Sequence, residues 1–395
     1  MNSPTDSLLA TPRERSPARG VRVPVARSLE PDRNILLQHI DAMCASRRFS
    51  NCGPIHEALR ERLCEWLDAD RLGLFSSATS ALTVALRAHR VSGEVITTPF
   101  SFAASAQVIE WAGALPVFVD IDPVSLTIDP ARVEAAITPN TSAILAVHTY
   151  GVPCDVRALE DIAKRHQLAL IFDAAHAFDV RIDSTPIHRF GNATIYSTHA
   201  SKLFHTGEGG VLVCSDEATQ RRCDRMANFG FDGSGDAVEC GTNAKMSELH
   251  AATGLAVLPK VNAERAARAA LRFEYTSALN GIDGISLMAP PIHVKDSLQY
   301  LAIRVKSEAA ETDNRIRNTV YERLISLGLE SRKYFSPLCA DFSYVSQENC
   351  RTTDELTVAR RAVHQVLCLP FHSGVNRDTV LLIADTFREV IRRDS

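Results

Sequence analysis

The sequence of 395 residues has no apolar run that approaches the ~20 residues needed for a membrane helix. Residues 1–27 contain Ser, Pro and Arg but no apolar segment typical of a secretory signal, and we expect residues 1–30 to form a disordered leader. The formal net charge is −4, without a polybasic run. This balance disfavours nucleic acid as a partner, so a site for an anionic ligand has to be built locally.

Metal-binding and common nucleotide-binding patterns are also missing. The ten cysteines form no CxxC pair and no His–Cys metal spacing. In a chain of this length they are typical of buried small apolar residues in a reducing compartment, so we expect a cytoplasmic protein without zinc or structural disulfides. A GxGxxG after a first strand and a Gly-Lys-Ser/Thr loop are both absent, which disfavours a nicotinamide dinucleotide and ATP.

Short apolar segments alternate with amphipathic ones through the middle of the chain. This alternation predicts an α/β fold with a mainly parallel sheet and helices on both faces. Ligands on such sheets bind beyond the carboxyl ends of the strands. The predicted strands are residues 73–76, 94–97, 116–119, 142–148, 169–172, 193–197 and 210–214, and the predicted helices are residues 80–89, 105–112 and 156–166.

The pattern changes after Met246. Residues 247–271 are Ala-rich and helical in period, and Pro259 predicts two consecutive helices or one bent helix. A smaller α+β region follows, with a predicted strand at residues 299–305 and helices at 312–327 and 354–367. The length predicts two lobes, and we place a large domain at residues 31–255 and a linking helix with a small C-terminal domain at 256–395.

Three segments that follow strands carry candidate chemistry. Asp173 ends an apolar strand, and it either points into a cleft or caps a helix. Lys202 follows the next strand and precedes a Gly-rich turn; it is either a solvated surface residue or, if buried, an amine made nucleophilic by a lowered pKa. Small hydroxyl residues at 76–80 open a helix, where they either only cap it or also bind an anion.

Together these segments fit pyridoxal phosphate (PLP). The cofactor needs an amine to hold its aldehyde, a carboxylate to keep its pyridine nitrogen protonated and a cradle for its phosphate. Lys202, Asp173 and the helix opening near Thr79 and Ser80 supply these three requirements in one sequence.

Five further segments resemble the DegT/DnrJ/StrS family of sugar aminotransferases, and the resemblance extends from about Phe49 to His372. It implies PLP fold type I with a large domain and a small domain. Two departures from the family pattern are Ala78, where Gly is common, and Lys245, where Arg is common. The matching segments are SNCGP at residues 50–54, TTPFSF at 97–102, FVDIDP at 118–123, HTYG at 148–151 with Asp155, and GTN at 241–243 with Met246.

The resemblance implies roles for individual residues. Lys202 is similar to the lysine that binds PLP as a Schiff base and carries the proton, and Asp173 to the partner of the pyridine nitrogen. Asn243 resembles a residue that reaches the phosphate of a neighbouring subunit, which implies a homodimer with shared sites. The remaining matched positions are Phe102 for stacking on the ring, Thr79, Ser80 and Ser197 for the phosphate, His176 near the phenolic oxygen, and His199, Tyr334 and His372 as candidates for substrate contact.

A dehydratase branch of the family has His in place of the lysine, so Lys202 favours transamination. The resemblance implies L-glutamate as donor and a nucleotide-linked keto-6-deoxy sugar as acceptor. Residues 48–51, 197–202 and 208–210 are most similar to the branch that aminates C4 of dTDP-4-keto-6-deoxyglucose. Amination at C3, a 4-aminotransferase of another nucleotide sugar and a non-catalytic PLP-binding regulator are the alternatives.

Overall fold

The computed structural model describes residues 23–306 and 315–394. Residues 1–22 of the predicted leader and the start of the predicted helix at 312–327 lie outside these ranges. The helices are α1 (Arg33–Ser46), α2 (Pro54–Leu67), α3 (Ala78–Ala88), α4 (Ala103–Trp111), α5 (Pro130–Ala136), α6 (Val156–His166), α7 (Glu217–Met226), α8 (Glu248–Val257), α9 (Val261–Leu279), α10 (Arg315–Ser326), α11 (Thr357–Gln365) and α12 (Arg377–Asp394). The strands are β1 (Gly73–Phe75), β2 (Glu94–Thr97), β3 (Leu115–Phe118), β4 (Thr141–Val147), β5 (Ala169–Asp173), β6 (Arg181–Ile182), β7 (Thr185–Pro186), β8 (Ala193–Ser197), β9 (Gly210–Cys214), β10 (Ile285–Leu287), β11 (Val294–Lys295), β12 (Leu301–Val305), β13 (Arg351–Thr352) and β14 (Val366–Leu369).

An eight-stranded sheet forms the large domain, in the order β1-β9-β8-β5-β4-β2-β3-β13. The pairs from β8 to β13 are parallel, whereas β9 runs antiparallel to both β8 and β1. Strands β2, β8 and β9 are buried at every residue, as expected for a parallel sheet covered on both faces. The predicted α/β fold class is therefore confirmed.

Helices cover both faces of this sheet because alternate strand residues point in opposite directions. Val95 and Ile171 pack with α3, α4 and α7 in one buried cluster. Ile96 and Leu170 pack with α5 and α6 in another cluster. The sheet is thus held between two apolar layers, and polar groups at the carboxyl ends of its strands open into a cleft.

Pro259 interrupts the long helical segment as predicted. Helix α8 ends at Val257, residues 258–260 form a 3₁₀ turn and α9 begins at Val261. Proline lacks the N–H needed for a helical hydrogen bond, which explains the break. Val261 packs in the core beneath the large sheet and Tyr275 in the core of the small domain, so we propose that α9, which begins six residues after the predicted boundary, joins the two domains.

The small domain contains an antiparallel sheet in the order β10-β12-β14. The predicted helix at 354–367 is wrong at its end, since α11 stops at Gln365 and β14 follows directly. The run Val366–Leu369 is fully buried and pairs with β12; a short apolar run does not distinguish a buried helix from a buried strand. Strand β13, from the same region of the chain, extends the large sheet instead of the small one.

Residues 23–25 pack on the small domain and Leu29 on the large one, unlike the predicted disordered leader. Val23 pairs with Leu329 in a parallel bridge. The Val25 N–H donates to Glu330 at 3.1 Å, and the Val25 carbonyl accepts from the Phe371 N–H at 3.1 Å. Burial of Val25 orders this segment, which no local pattern indicates.

Candidate active site

A cavity of about 310 Å³ lies beyond the carboxyl ends of β5 and β8, next to the first turn of α3. Parallel strands bring their carboxyl ends to one edge of the sheet, which explains why residues distant in the chain meet there. The predicted residues that line this cavity are Thr79, Phe102, Asp173, His176, Ser197, His199, Lys202 and Tyr334.

Asp173 is the last residue of β5, and its side chain is almost fully buried. Burial raises the pKa of its carboxyl, whereas hydrogen bonds oppose that rise. Ser105 Oγ donates to Asp173 Oδ2 at 2.7 Å, and the Ala175 N–H donates to Oδ1 at 3.0 Å. No helix begins at the residues that follow Asp173, so the carboxylate is a cavity group and not a helix cap.

Lys202 shares this cavity and is partly buried. Burial lowers the pKa of its amine from 10.5 to about 8, and the nearby charge of Asp173 limits the fall. Its Nζ lies 5.7 Å from the centroid of the Tyr300 ring. The amine is therefore enclosed, in contrast to a solvated surface lysine, and a substantial fraction is neutral near pH 8.

The first turn of α3 forms one end of the cavity. Ser77 is the N-cap residue, and its Oγ accepts from the Ser80 N–H at 3.0 Å. Ser80 does not line the cavity, because its Oγ donates to the Ser77 carbonyl at 2.8 Å within the same capping box. Thr79 and Ser197 do line it. The turn thus caps the helix and also leaves polar groups at a helix N-terminus, where anions bind.

Two departures from the family pattern are accommodated locally. Ala78 is the first residue of α3, and a helical backbone accepts its Cβ without strain. Lys245 Nζ donates to Asn228 Oδ1 at 2.6 Å and lies 5.2 Å from the Phe229 ring centroid.

His176 and aromatic side chains form the opposite wall. The His176 ring stacks on Phe335 at 5.6 Å between centroids and meets the edge of Tyr300 at 5.0 Å. Burial holds the pKa of His176 well below its usual range, so the imidazole is neutral. Its Nδ1 is buried and has no hydrogen-bond partner. Such an atom is costly unless a ligand satisfies it.

Two predicted residues lie elsewhere in this chain. Asn243 is exposed on the loop between α7 and α8. His372 is buried, with its Nε2 3.1 Å from the Pro24 carbonyl oxygen and its Nδ1 accepting from the Gly374 N–H at 3.1 Å. Both nitrogens of His372 are thus occupied by the backbone, which makes it a packing residue of the small domain.

Sequence reasoning missed several lining or supporting residues. Ser105, on α4, has only one local signal, its position four residues after Ser101. The two hydroxyl oxygens are hydrogen-bonded at 2.8 Å. Tyr300 and Phe335 carry no local signal because they come from distant segments that the tertiary fold brings to the cavity. Ser77 and Glu208 also line it.

The residues that line the cavity have the chemical groups that PLP requires. The cavity contains a lysine of lowered pKa, a buried carboxylate held by two donors, a helix N-terminus and a buried imidazole nitrogen without a partner.

Within residues 23–306 and 315–394, no group of three or more His, Cys, Asp or Glu side chains is arranged to bind a metal ion. The same ranges contain no helix that is both long and apolar enough to cross a membrane.

Comparison with known proteins connects this site to a family. The pattern of the DegT/DnrJ/EryC1/StrS aminotransferase family matches residues 32–388. The chain is 38% identical to a dTDP-4-amino-4,6-dideoxy-D-glucose transaminase of Shigella dysenteriae, covering 90% of this chain and 95% of that one, and 35% identical to the Escherichia coli protein of the same name, covering 91% and 96%. The crystal structure of DesI in the presence of its TDP-sugar product superposes with a TM-score of 0.87 at 33% identity, covering 94% of this chain and 93% of that chain. The chain belongs to the DegT/DnrJ/EryC1/StrS aminotransferase family and is a PLP-dependent sugar aminotransferase.

Proposed function

We propose that this enzyme transfers the amino group of L-glutamate to C4 of dTDP-4-keto-6-deoxy-D-glucose, which yields dTDP-4-amino-4,6-dideoxy-D-glucose. The observation that carries the proposal is the presence of Lys202 and Asp173 in one cavity, in a chain whose two relatives above act at C4 of this class of sugar. A histidine in place of Lys202 would leave no amine to bind the cofactor covalently.

The described residues divide the work as follows. Lys202 would hold the cofactor through its amine and, once released as a neutral amine, would carry the proton during transfer. Asp173 would keep the pyridine nitrogen protonated, and Ser105 and the Ala175 N–H hold that carboxylate in place. When bound, PLP supplies the electron sink that stabilises negative charge at the reacting carbon.

The remaining cofactor contacts follow from position in the cavity. Thr79 and Ser197 face the phosphate end beside the first turn of α3, where N–H groups favour an anion. Phe102 is largely exposed at the cavity edge, where it would stack on the ring of the bound cofactor. His176 offers the unpartnered Nδ1 toward the phenolic oxygen side of the cofactor.

The substrate end of the cavity is walled by Tyr300, Tyr334 and Phe335, with His199 and Glu208 at its rim. His199 Nε2 lies 3.7 Å from Glu208 Oε1. An aromatic wall suits the apolar C6 methyl of a 6-deoxy hexose, because ring carbons can cover the methyl group.

We also propose that the enzyme acts as a homodimer in the cytoplasm. Among the described residues lining the cavity, Lys202 is the one lysine or arginine, and its amine is taken up by the cofactor, yet glutamate and a nucleoside diphosphate bring several negative charges. Exposed loop residues such as Asn243 are available to a neighbouring site. All ten cysteines are free, which is typical of proteins in a reducing compartment.

Product analysis tests the substrate assignment. The enzyme is incubated with L-glutamate and, separately, with dTDP-4-keto-6-deoxyglucose, its 3-keto isomer and a GDP-linked 4-keto-6-deoxy hexose, and NMR identifies the carbon that gains nitrogen. We expect the highest kcat/KM with the first sugar and nitrogen at C4 in the gluco configuration. Preferential amination at C3, or of the GDP sugar, would overturn the assignment while leaving the family membership intact.

A further inference from the structure

Gln299, which precedes strand β12 of the small domain, forms hydrogen bonds to the backbone on both sides of Lys202. Gln299 Oε1 accepts from the Leu203 N–H at 2.7 Å, and Gln299 Nε2 donates to the Ser201 carbonyl at 3.0 Å. The side chain is almost fully buried. We infer that Gln299 is a positioning residue that sets the placement of Lys202 through these two hydrogen bonds.

These two hydrogen bonds of Gln299, which we call the clamp, require an amide side chain. One end of the side chain must accept and the other must donate, and only a primary amide offers both in a plane of this size. The two partners lie directly before and after Lys202 in the chain, so the amide restrains the backbone from which the reactive side chain extends. Because both partners are backbone groups, losing the amide leaves a buried donor and a partly buried acceptor without this partner.

The clamp is itself rigidly mounted. Asp296 Oδ1 accepts from the Leu298 N–H at 2.9 Å in a tight turn. Arg268 of α9 donates to the Leu298 carbonyl at 3.1 Å, and Arg272 donates to the Tyr300 carbonyl at 3.3 Å. The turn that carries Gln299 is thus fixed to the helix that joins the domains.

This turn also docks closely on the large domain. Ser297 is fully buried, and its Oγ would lie 2.3 Å from a Cβ at Gly151. Gly151 has a φ of +89°, so glycine is required there both for the backbone and for space. The segment 296–300 is held between the domains, and it places Gln299 against the Lys202 loop and the Tyr300 ring beside Lys202 Nζ.

The functional consequence concerns rate more than binding. Lys202 has to reach two carbon atoms in turn, and a misplacement of about 1 Å costs on the order of 100-fold in such steps. The Gln299 amide bonds to the backbone at Ser201 and Leu203 and not to the side chains proposed to contact substrate. Loss of the amide should therefore lower kcat and leave KM nearly unchanged.

The test compares Gln299→Met, which removes both hydrogen bonds at similar length, with Gln299→Glu, which keeps only the acceptor. The matched control is Gln220→Met on α7, because Gln220 is equally buried and also uses both ends of its amide, accepting from the Cys214 N–H and donating to Asp224 at 3.1 Å each. We expect a fall in kcat of roughly 10- to 100-fold for Gln299→Met, a smaller fall for Gln299→Glu and no change in kcat per folded enzyme for Gln220→Met.

Hydrogen exchange of the apoenzyme supplies a readout independent of turnover. The Leu203 amide should exchange about tenfold faster in Gln299→Met than in the wild type or in Gln220→Met, since it loses its acceptor. A kcat within about twofold of the wild type alongside faster Leu203 exchange would overturn the inference. If Gln299→Met does not fold, Gln299→Glu is decided by kcat alone, because its carboxylate still accepts from the Leu203 N–H. An unchanged kcat in that variant overturns the inference equally.

The inference rests on the proposed role of Lys202, and a labelling step separates the two. Borohydride reduction of the wild-type holoenzyme, followed by peptide mass spectrometry, should show PLP attached at Lys202. Attachment elsewhere would end the proposed role of Lys202 itself, whereas attachment at Lys202 with unchanged kinetics in the glutamine variants would end only the clamp.

Discussion

At the scale of the residue, burial acts on Lys202 and Asp173 in opposite senses. It lowers the pKa of the amine and raises that of the carboxyl, because in each case it disfavours the charged form. The two charges partly compensate each other inside the cavity. This balance leaves an amine with a pKa of about 8 in the same cavity as a carboxyl whose raised pKa is opposed by two hydrogen bonds.

The lowered pKa of Lys202 predicts a pH dependence for cofactor attachment. Only the neutral amine reacts, so the rate of covalent PLP attachment to the apoenzyme should rise about tenfold per pH unit below the pKa and level off above pH 8. Stopped-flow absorbance measures this rate. Asp173→Asn should move the midpoint of this pH profile to lower pH, since the carboxylate charge raises the lysine pKa. A midpoint near pH 10.5 in the wild type would contradict the prediction and indicate a solvated lysine.

A second prediction concerns Ser105, which donates to Asp173 Oδ2 at 2.7 Å. Removing this hydrogen bond should destabilise the ionised form of the buried carboxylate by about 1.5–3 kcal/mol. Ser105→Ala should therefore weaken PLP binding by roughly tenfold or more. Equilibrium dialysis of PLP measures the effect. Thr276→Ala is the control, because its hydroxyl bonds only to the Arg272 carbonyl on an exposed helix face; equal PLP affinity in both variants would contradict the role of Ser105.

At the scale of the element, the distance between β9 and α3 determines the phosphate end of the cavity. A Cβ at Gly210 would lie 2.6 Å from the backbone nitrogen of Ala78. The strand can therefore approach the first turn of the helix only because it begins with glycine. The Gly-rich run after Lys202 has this packing function in addition to forming a turn.

Gly210→Ala should push the first turn of α3 away from β9, destabilise the fold by about 1–3 kcal/mol and weaken PLP binding. Thermal unfolding of the apoenzyme and PLP titration measure the two effects. Gly233→Ala serves as control, since Gly233 has a φ of +91° but open space around it. It should lose about 1–2 kcal/mol of stability without loss of PLP affinity, and an equal loss of affinity in both variants would be inconsistent with the packing argument.

Helices and strands were most predictable where the flanking residues and the apolar period indicated the same element. The bounds of β2, β8, β9 and α6 match their predictions because their apolar periods and flanking residues are unambiguous. Strand β14 was not predicted, since its four apolar residues extend the period of α11 and only pairing with β12 decides their conformation. Its neighbours in space, not in sequence, make it a strand.

At the scale of the whole molecule, the proposed dimer predicts complementation between inactive variants. Lys202→Ala removes the amine from its own cavity, and Asn243→Asp should disturb only the cavity of the neighbouring subunit. In a mixture of subunits that exchange freely, about half the dimers are mixed and each has one intact site, so about a quarter of wild-type activity should return. The assay is turnover after co-expression of differently tagged chains.

The control for complementation pairs Lys202→Ala with Asp173→Ala, two residues that line the same cavity of one chain. Each mixed dimer then carries a defect in both of its sites, and no activity should return. Equal recovery in the two mixtures would contradict sharing of the site between subunits, and a monomeric mass by light scattering would do the same.

The sequence by itself determined the α/β alternation and the break at Pro259, and it selected Lys202 and Asp173 as the candidate cofactor residues. These features depend on neighbours within a few residues, on strand ends and on a chemical requirement that few residue types meet. Only the tertiary structure decided that Ser105 supports the carboxylate, that Gln299 binds the backbone on both sides of Lys202 and that the Tyr300 ring lies near its amine. These contacts join segments about 70 to 100 residues apart, and no local period encodes them, because they arise from the order of the strands and from the docking of the small domain. Lys202 is thus identified by its sequence context, but its pKa and its placement are properties of the fold.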